Sequence, residues 1–149
     1  MVVPAQPFPL SRKLPRALGR AHRLWKDLIR AENTMPFSDD VSLSGYGNLS
    51  ANLLLINVLP SSQRFRFNQL GAKILARAGA NFHDKFADEL ELREPFDYFV
   101  AQASATVEAG APTFYASNPR RRTARRGYSR LILPSWGNGR VDLLLCAIV

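Results

Sequence analysis

The sequence predicts one α+β domain: a five-stranded antiparallel sheet with helices on one face, preceded by an N-terminal amphipathic helix. Three observations predict it. Strand-like runs flank the body of the chain, at 53–58 and 64–69 and again from 113 onward. Helix-periodic runs lie between them. The pair Asn138-Gly139 marks a tight turn between the last two strands, because both central residues of such a turn need positive φ. A length of 149 residues suits a single domain. Such a chain buries about two thirds of its unfolded surface, enough for one core.

Residues 1–13 are proline-rich and aperiodic, and read as a flexible arm. Residues 14–31 read as a lead helix. Leu14, Leu18, Ala21, Trp25 and Leu28 recur at spacings of three and four, while Arg16, Arg20, Arg23, Lys26 and Arg30 fall largely outside that stripe. Pro15 suits a first turn and Pro36 stops any continuation. Such a helix packs on its own domain, on the same helix of a second subunit in a homodimer, on a partner, or on a membrane.

Residues 36–52 are polar and rich in Gly, Ser and Asp, hence a loop. The runs 53–58 and 64–69 make an antiparallel hairpin across Pro60-Ser61-Ser62. A short helix follows at 71–78, with Gly79 as its stop. Residues 81–93 show no clear pattern. The second strong helix is 94–109, with Pro95 in its first turn and a stripe of Phe96, Phe99, Val100, Ala103 and Val107. Strands at 113–117, 128–134 and 141–149 close the chain.

Composition is ordinary for a globular protein, at 46% apolar and 21% charged. No apolar run reaches the roughly 18–20 residues that span a bilayer. The N-terminus lacks a basic flank followed by a long apolar stretch, so it is a poor signal peptide. The single cysteine, Cys146, excludes an internal disulfide. A cytoplasmic location is the simplest expectation. The net charge of +8 is the unusual property. Arginine supplies most of it, and Arg120, Arg121, Arg122, Arg125 and Arg126 fall within seven residues. The remainder of the chain is only mildly basic.

The order helix, two strands, short helices, a longer helix and three strands is similar to that of PAS domains. The stretch Arg64-Phe65-Arg66-Phe67-Asn68-Gln69-Leu70-Gly71-Ala72-Lys73-Ile74, continuing to Gly79-Ala80-Asn81, resembles the PAS passage from second strand through Gly into a short helix. Leu131-Ile132-Leu133-Pro134 and Gly139-Arg140-Val141-Asp142-Leu143-Leu144-Leu145 resemble the last hairpin of a short single-domain bacterial PAS subfamily. Leu14-Pro15-Arg16 with Leu24-Trp25-Lys26-Asp27-Leu28 resembles its lead helix. The resemblance covers nearly all of the chain after residue 13, as one PAS-like domain over 14–149. It implies a cavity between sheet and helices, a signalling role and no particular ligand. Two features depart from it: Asn81-Phe82-His83-Asp84, where a small polar residue and Gly are commoner, and the arginine run.

Cofactors are not expected. A haem-binding member of the family carries a His on the long helix, and 94–109 has none; His22 and His83 lie elsewhere. A flavin photosensor carries a mid-chain Cys, whereas Cys146 is in the last strand. His83, Asp84, Asp88 and Glu89 form the sole grouping with metal-ligand chemistry, and a solvated short helix is much the stronger reading of them. No catalytic constellation or phosphate loop is recognisable, so no enzyme activity is expected; Ser44-Gly45-Tyr46-Gly47 lacks the spacing and the Lys of a phosphate loop, and Asp39-Asp40 reads as a turn cap. The cavity side chains expected from the resemblance are Leu55, Phe65, Phe67, Ile74, Phe99, Leu131 and Leu143. The arginine run forms a basic loop suited to a phosphate or carboxylate partner. Two functions follow. The first is a non-enzymatic sensory module that binds a small ligand or docks to a protein partner. The second is a basic nucleic-acid-associated protein acting through Arg120 to Arg126.

Overall fold

A computed structural model describes residues 7–60, 64–117 and 127–149. It is an α+β fold built on one open, five-stranded antiparallel sheet. The helices are α1 (Arg16–Asp27), α2 (Ala72–Ala78) and α3 (Phe99–Ala109), with 3₁₀ turns at Ser38–Asp40, Leu43–Asn52 and Ala87–Glu89. The strands are β1 (Leu53–Val58), β2 (Phe65–Leu70), β3 (Thr113–Ala116), β4 (Ser129–Gly137) and β5 (Arg140–Ile148), in the order β2-β1-β5-β4-β3. The first and last strands of the chain therefore lie side by side at the centre.

Local chemistry sets several boundaries. Asn138 and Gly139 both take positive φ, at 54° and 74°, and close the β4–β5 hairpin with Gly137 opposite Arg140. Gly79 ends α2 at φ 73°, its N–H donating to the Leu75 carbonyl. Pro134 does not end β4 as its sequence position suggests. Its carbonyl accepts the Trp25 indole N–H at 2.9 Å, so that edge points away from β5. The missing proline N–H faces the same way, beyond the last β3 pairing at Ile132, where no ladder needs it. Pro36 to Phe37 covers that open edge: Trp136 N–H donates to the Pro36 carbonyl and Phe37 bridges Trp136.

α3 starts five residues later than its pattern predicts. Pro95 and Asp97 offer their carbonyls to a side chain instead of to a helix, and Tyr98 adopts φ 57° just before the first turn. The helix is also rotated from the expected stripe. Val100 is 42% exposed, whereas Gln102 and Thr106 are fully buried.

The sheet is covered on both faces, which differs from the one-face expectation. β5 is buried from Leu143 to Ile148 without a break, and β4 from Arg130 to Ser135. Alternation along a strand sends neighbours to opposite sides, so both sides must be packed. Arg130 reaches α3, and register places Ile132, Cys146, Leu144, Ile56 and Phe67 on that side. Leu131, Leu133, Leu143, Leu145, Leu55 and Leu53 then face the other side. α1 packs on β4 and β5 and on the Leu43–Asn52 segment, and buries Leu18, Ala21 and Trp25. It covers that leucine face, with Tyr46 and Leu49 beside it.

Candidate functional site

The seven expected cavity residues do not share one space. Phe65, Phe67 and Phe99 are on the α3 side, and Ile74 is buried on α2. Leu55, Leu131 and Leu143 point to the opposite face, under the α1 layer. The reason is register: Leu131 pairs with Ala147 and Leu55 with Leu145, each one step out of phase with the residues that reach α3. On the α3 side the rings meet directly. Phe67 stacks on Phe99 with centroids 5.5 Å apart and meets Phe96 edge-on at 5.6 Å, and Phe82 closes on Phe67 at 5.4 Å. The space between sheet and helices is thus occupied by aromatic side chains at this point.

Next to those rings lies a buried polar network that the sequence reading missed. Arg130 of β4 is fully buried. Its Nε donates to Gln102 Oε1 at 2.7 Å, Nη1 to the Pro95 carbonyl at 2.8 Å and Nη2 to the Asp97 carbonyl at 2.7 Å. Gln102 Nε2 donates back to Thr113 Oγ1 at 3.1 Å and to the Arg130 carbonyl at 3.2 Å. Thr106 donates to the Gln102 carbonyl at 2.9 Å and contacts the Thr113 hydroxyl at 2.6 Å. The guanidinium carbon lies 5.0, 5.6 and 5.9 Å from the rings of Tyr115, Phe99 and Tyr128. Among the described residues no carboxylate forms an ion pair with it. Asp97 instead accepts the Tyr128 hydroxyl at 3.1 Å.

The electrostatics follow from burial. Desolvation pulls the Arg130 guanidinium below the usual arginine value, against the opposing pull of Cys146, Tyr128, Tyr115 and the Asp97 carboxylate. Desolvation also raises the Tyr128 hydroxyl, and pushes the Cys146 thiol up to about 12 although Arg130 opposes it. A buried cation held by neutral acceptors is a fixed positive pole beside the aromatic cluster. It clamps the 95–98 loop, and so the start of α3, to β4. Three of the five guanidinium donors are engaged in this clamp. The sequence signal was a lone charge in an otherwise apolar strand, Arg130-Leu131-Ile132-Leu133.

The other expected groups separate. Arg120, Arg121, Arg122, Arg125 and Arg126 lie outside the described residues. His83 reaches the Asn68 carbonyl through Nδ1 and Asp84 through Nε2 at 3.2 Å. Asp88 and Glu89 turn instead to Arg64, at 3.1 and 3.4 Å, whose guanidinium lies over Phe86. Among the described residues no three His, Cys, Asp or Glu side chains gather as a metal site. Asp40 makes a two-point pair with Arg30 at 2.8 Å. His22 stacks on Trp25 in the α1 layer. A surface depression of about 220 Å³ opens between Asn33, Thr34, Met35, Phe37 and Trp136. Among the described residues no helix is long and apolar enough to cross a membrane.

Comparison with known proteins returns no match: no family model, no curated protein and no solved structure aligns with this chain.

Proposed function

We propose that the chain is a PAS-type sensory module, which binds a small ligand or docks to a protein partner and catalyses no reaction. The observation that carries this reading is the order of elements: two strands, short helices, α3, then three strands, all in one antiparallel sheet. That is the order tied to PAS domains by the sequence resemblance. A ligand would enter on the α3 side by displacing some of the packed rings, where an apolar aromatic wall meets a few fixed polar groups. Phe65, Phe67 and Phe99 form the wall, and Arg130 with Gln102 supplies the polar end. Leu55, Leu131 and Leu143 belong to the opposite face and take no part. A ligand would act by favouring one packing of α1 over another, which requires different affinity for the two.

The chain offers its own reporter. Trp25 sits in the α1 layer and Trp136 at the exposed end of β4. In a Trp136→Phe background, Trp25 emission reports α1 packing alone. A library of small aromatic and carboxylate compounds is screened by native mass spectrometry, and binders are titrated against that emission. A bound compound that changes Trp25 emission, and whose binding is lost in Phe99→Ala, is the expected result. Binders that leave Trp25 silent, or no binder at all, would refute a ligand-sensing role.

A further inference from the structure

The positive charge of the chain has a second concentration besides the arginine run. Arg12, Lys13, Arg16, Arg20, Arg23 and Lys26 carry six cations, and all twelve acidic residues of the chain lie at or beyond Asp27. All six are exposed. None of them takes part in an ion pair among the described residues; Arg20 donates to Asn48 Oδ1 at 3.2 Å. On α1, Arg16, Arg20 and Arg23 follow one another at four and three residues, so they form a single ridge. Their axial steps are about 6 and 4.5 Å. The ridge stands opposite the buried stripe of Leu18, Ala21 and Trp25.

Helix stability does not explain this placement. The first turn of α1 holds no acidic residue, and cations there oppose the helix dipole. Solubility would be served equally by mixed charges.

We infer that this face of α1 is a docking surface for the phosphate backbone of a nucleic acid. Three features select that occupant over other anions. The ridge is arginine, whose planar fork fits phosphate. A lipid surface would call on the apolar stripe of the helix, and that stripe is spent on the sheet. An acidic protein would call on a buried aromatic or aliphatic anchor, and the exposed Leu10, Phe37, Tyr98, Val100 and Trp136 all lie off this helix. A phosphate backbone needs only charge, and binds without sequence readout. The inference does not depend on the sensory reading: it stands or falls with α1 alone.

The test uses the full chain and a fluorescent DNA duplex of arbitrary sequence, with affinity measured by anisotropy across a salt series. The triple variant Arg16→Ala/Arg20→Ala/Arg23→Ala should lower the affinity at least about tenfold and reduce the slope of log K against log salt by roughly 3. A control variant, Lys73→Ala/Lys85→Ala/Arg93→Ala, removes equal charge elsewhere and should change neither as much. Alanine favours the helix, and far-UV circular dichroism checks that it persists. The glutamine triple at the same three positions repeats the test with side-chain length kept. The inference is overturned if the duplex does not bind, or if the α1 and control variants lose affinity equally. It is also overturned if mixed phosphatidylcholine–phosphatidylserine vesicles or polyglutamate depend on the three arginines and the duplex does not.

Discussion

Arg130 and Leu131 are neighbours in β4, equally buried, and they face opposite layers. Under α1 the sheet presents leucine after leucine, and the layer is held by shape and by one indole hydrogen bond. Under α3 it presents phenylalanine rings, a thiol and a buried cation whose hydrogen-bond network spans β4, β3, a loop and a helix. The two faces therefore tolerate change differently. An aliphatic face loses area in proportion to what is removed. A polar network fails as a unit, because each deletion strands the groups that remain.

The largest expected effect follows. Arg130→Leu leaves the Pro95 and Asp97 carbonyls and Gln102 Oε1 without their donors. At about 1–3 kcal/mol for each stranded group, partly offset by relief of charge burial, the loss should be on the order of 4 kcal/mol. Leu131→Ala should cost about 3 kcal/mol through its cavity. The sharper contrast is coupling. Gln102→Leu added to Arg130→Leu should cost much less than it does alone, giving a coupling of 1 kcal/mol or more in magnitude on the order seen for contacting networks. Urea unfolding of the four-member cycle measures it. Additive losses would mean that the two faces obey the same rule.

The α1 face has its own polar exception, the bond from Trp25 to Pro134. Trp25→Phe removes the donor and some volume, and should cost about 2 kcal/mol in the same measurement. A loss below about 0.5 kcal/mol would show that the Pro134 carbonyl needs no donor from α1.

The contrast between the faces also explains what was legible in the sequence. The β1–β2 hairpin, α2 and the β4–β5 hairpin follow from local rules: strand composition, a left-handed glycine and a two-residue turn. The facing of the leucines does not. Leu53-Leu54-Leu55-Ile56 and Leu143-Leu144-Leu145-Cys146 are apolar at every position, so no alternation marks a side. A sheet packed on both faces erases the period that would reveal it. For α3 the rule misled in the other direction. Apolar periodicity selected Val100 and passed over Gln102 and Thr106, which are buried because Arg130 and Thr113 wait opposite them. Such a partnership spans 28 residues from Gln102 to Arg130 and has no local signature. The role of Pro36 and Phe37 as an edge cover is similarly non-local, since it depends on where β3 stops.

The thiol beside Arg130 gives a pH test of the α3 face. Burial raises Cys146 from an ordinary value of 9.0 to about 12. Above pH 9 the unfolded thiol loses its proton while the native one keeps it. The native state then binds more protons, so stability falls as pH rises, by at most about 1.4 kcal/mol per pH unit. Cys146→Ala should flatten that decline between about pH 9 and 10, below the usual tyrosine range. Equal slopes in the two proteins would mean that the thiol titrates freely and that the α3 face is open to water.

The smallest effect should carry the opposite sign. Tyr46 is buried beside α1, and its hydroxyl has no hydrogen-bond partner among the described residues. Burial alone raises it, to about 12. Removing an unpartnered buried hydroxyl relieves a desolvation cost and strands nothing. Tyr46→Phe should therefore stabilise the fold by roughly 0.5–1 kcal/mol, whereas Thr106→Val, which removes a hydroxyl of equal burial from the α3 network, should destabilise it by about 1–2 kcal/mol. Matched urea curves decide between them. If both substitutions cost stability, Tyr46 has a partner in solution and the α1 layer is held by more than leucine packing. If both are neutral, the α3 network is a set of separable bonds rather than a unit, and the clamp on the start of α3 loses its energetic basis.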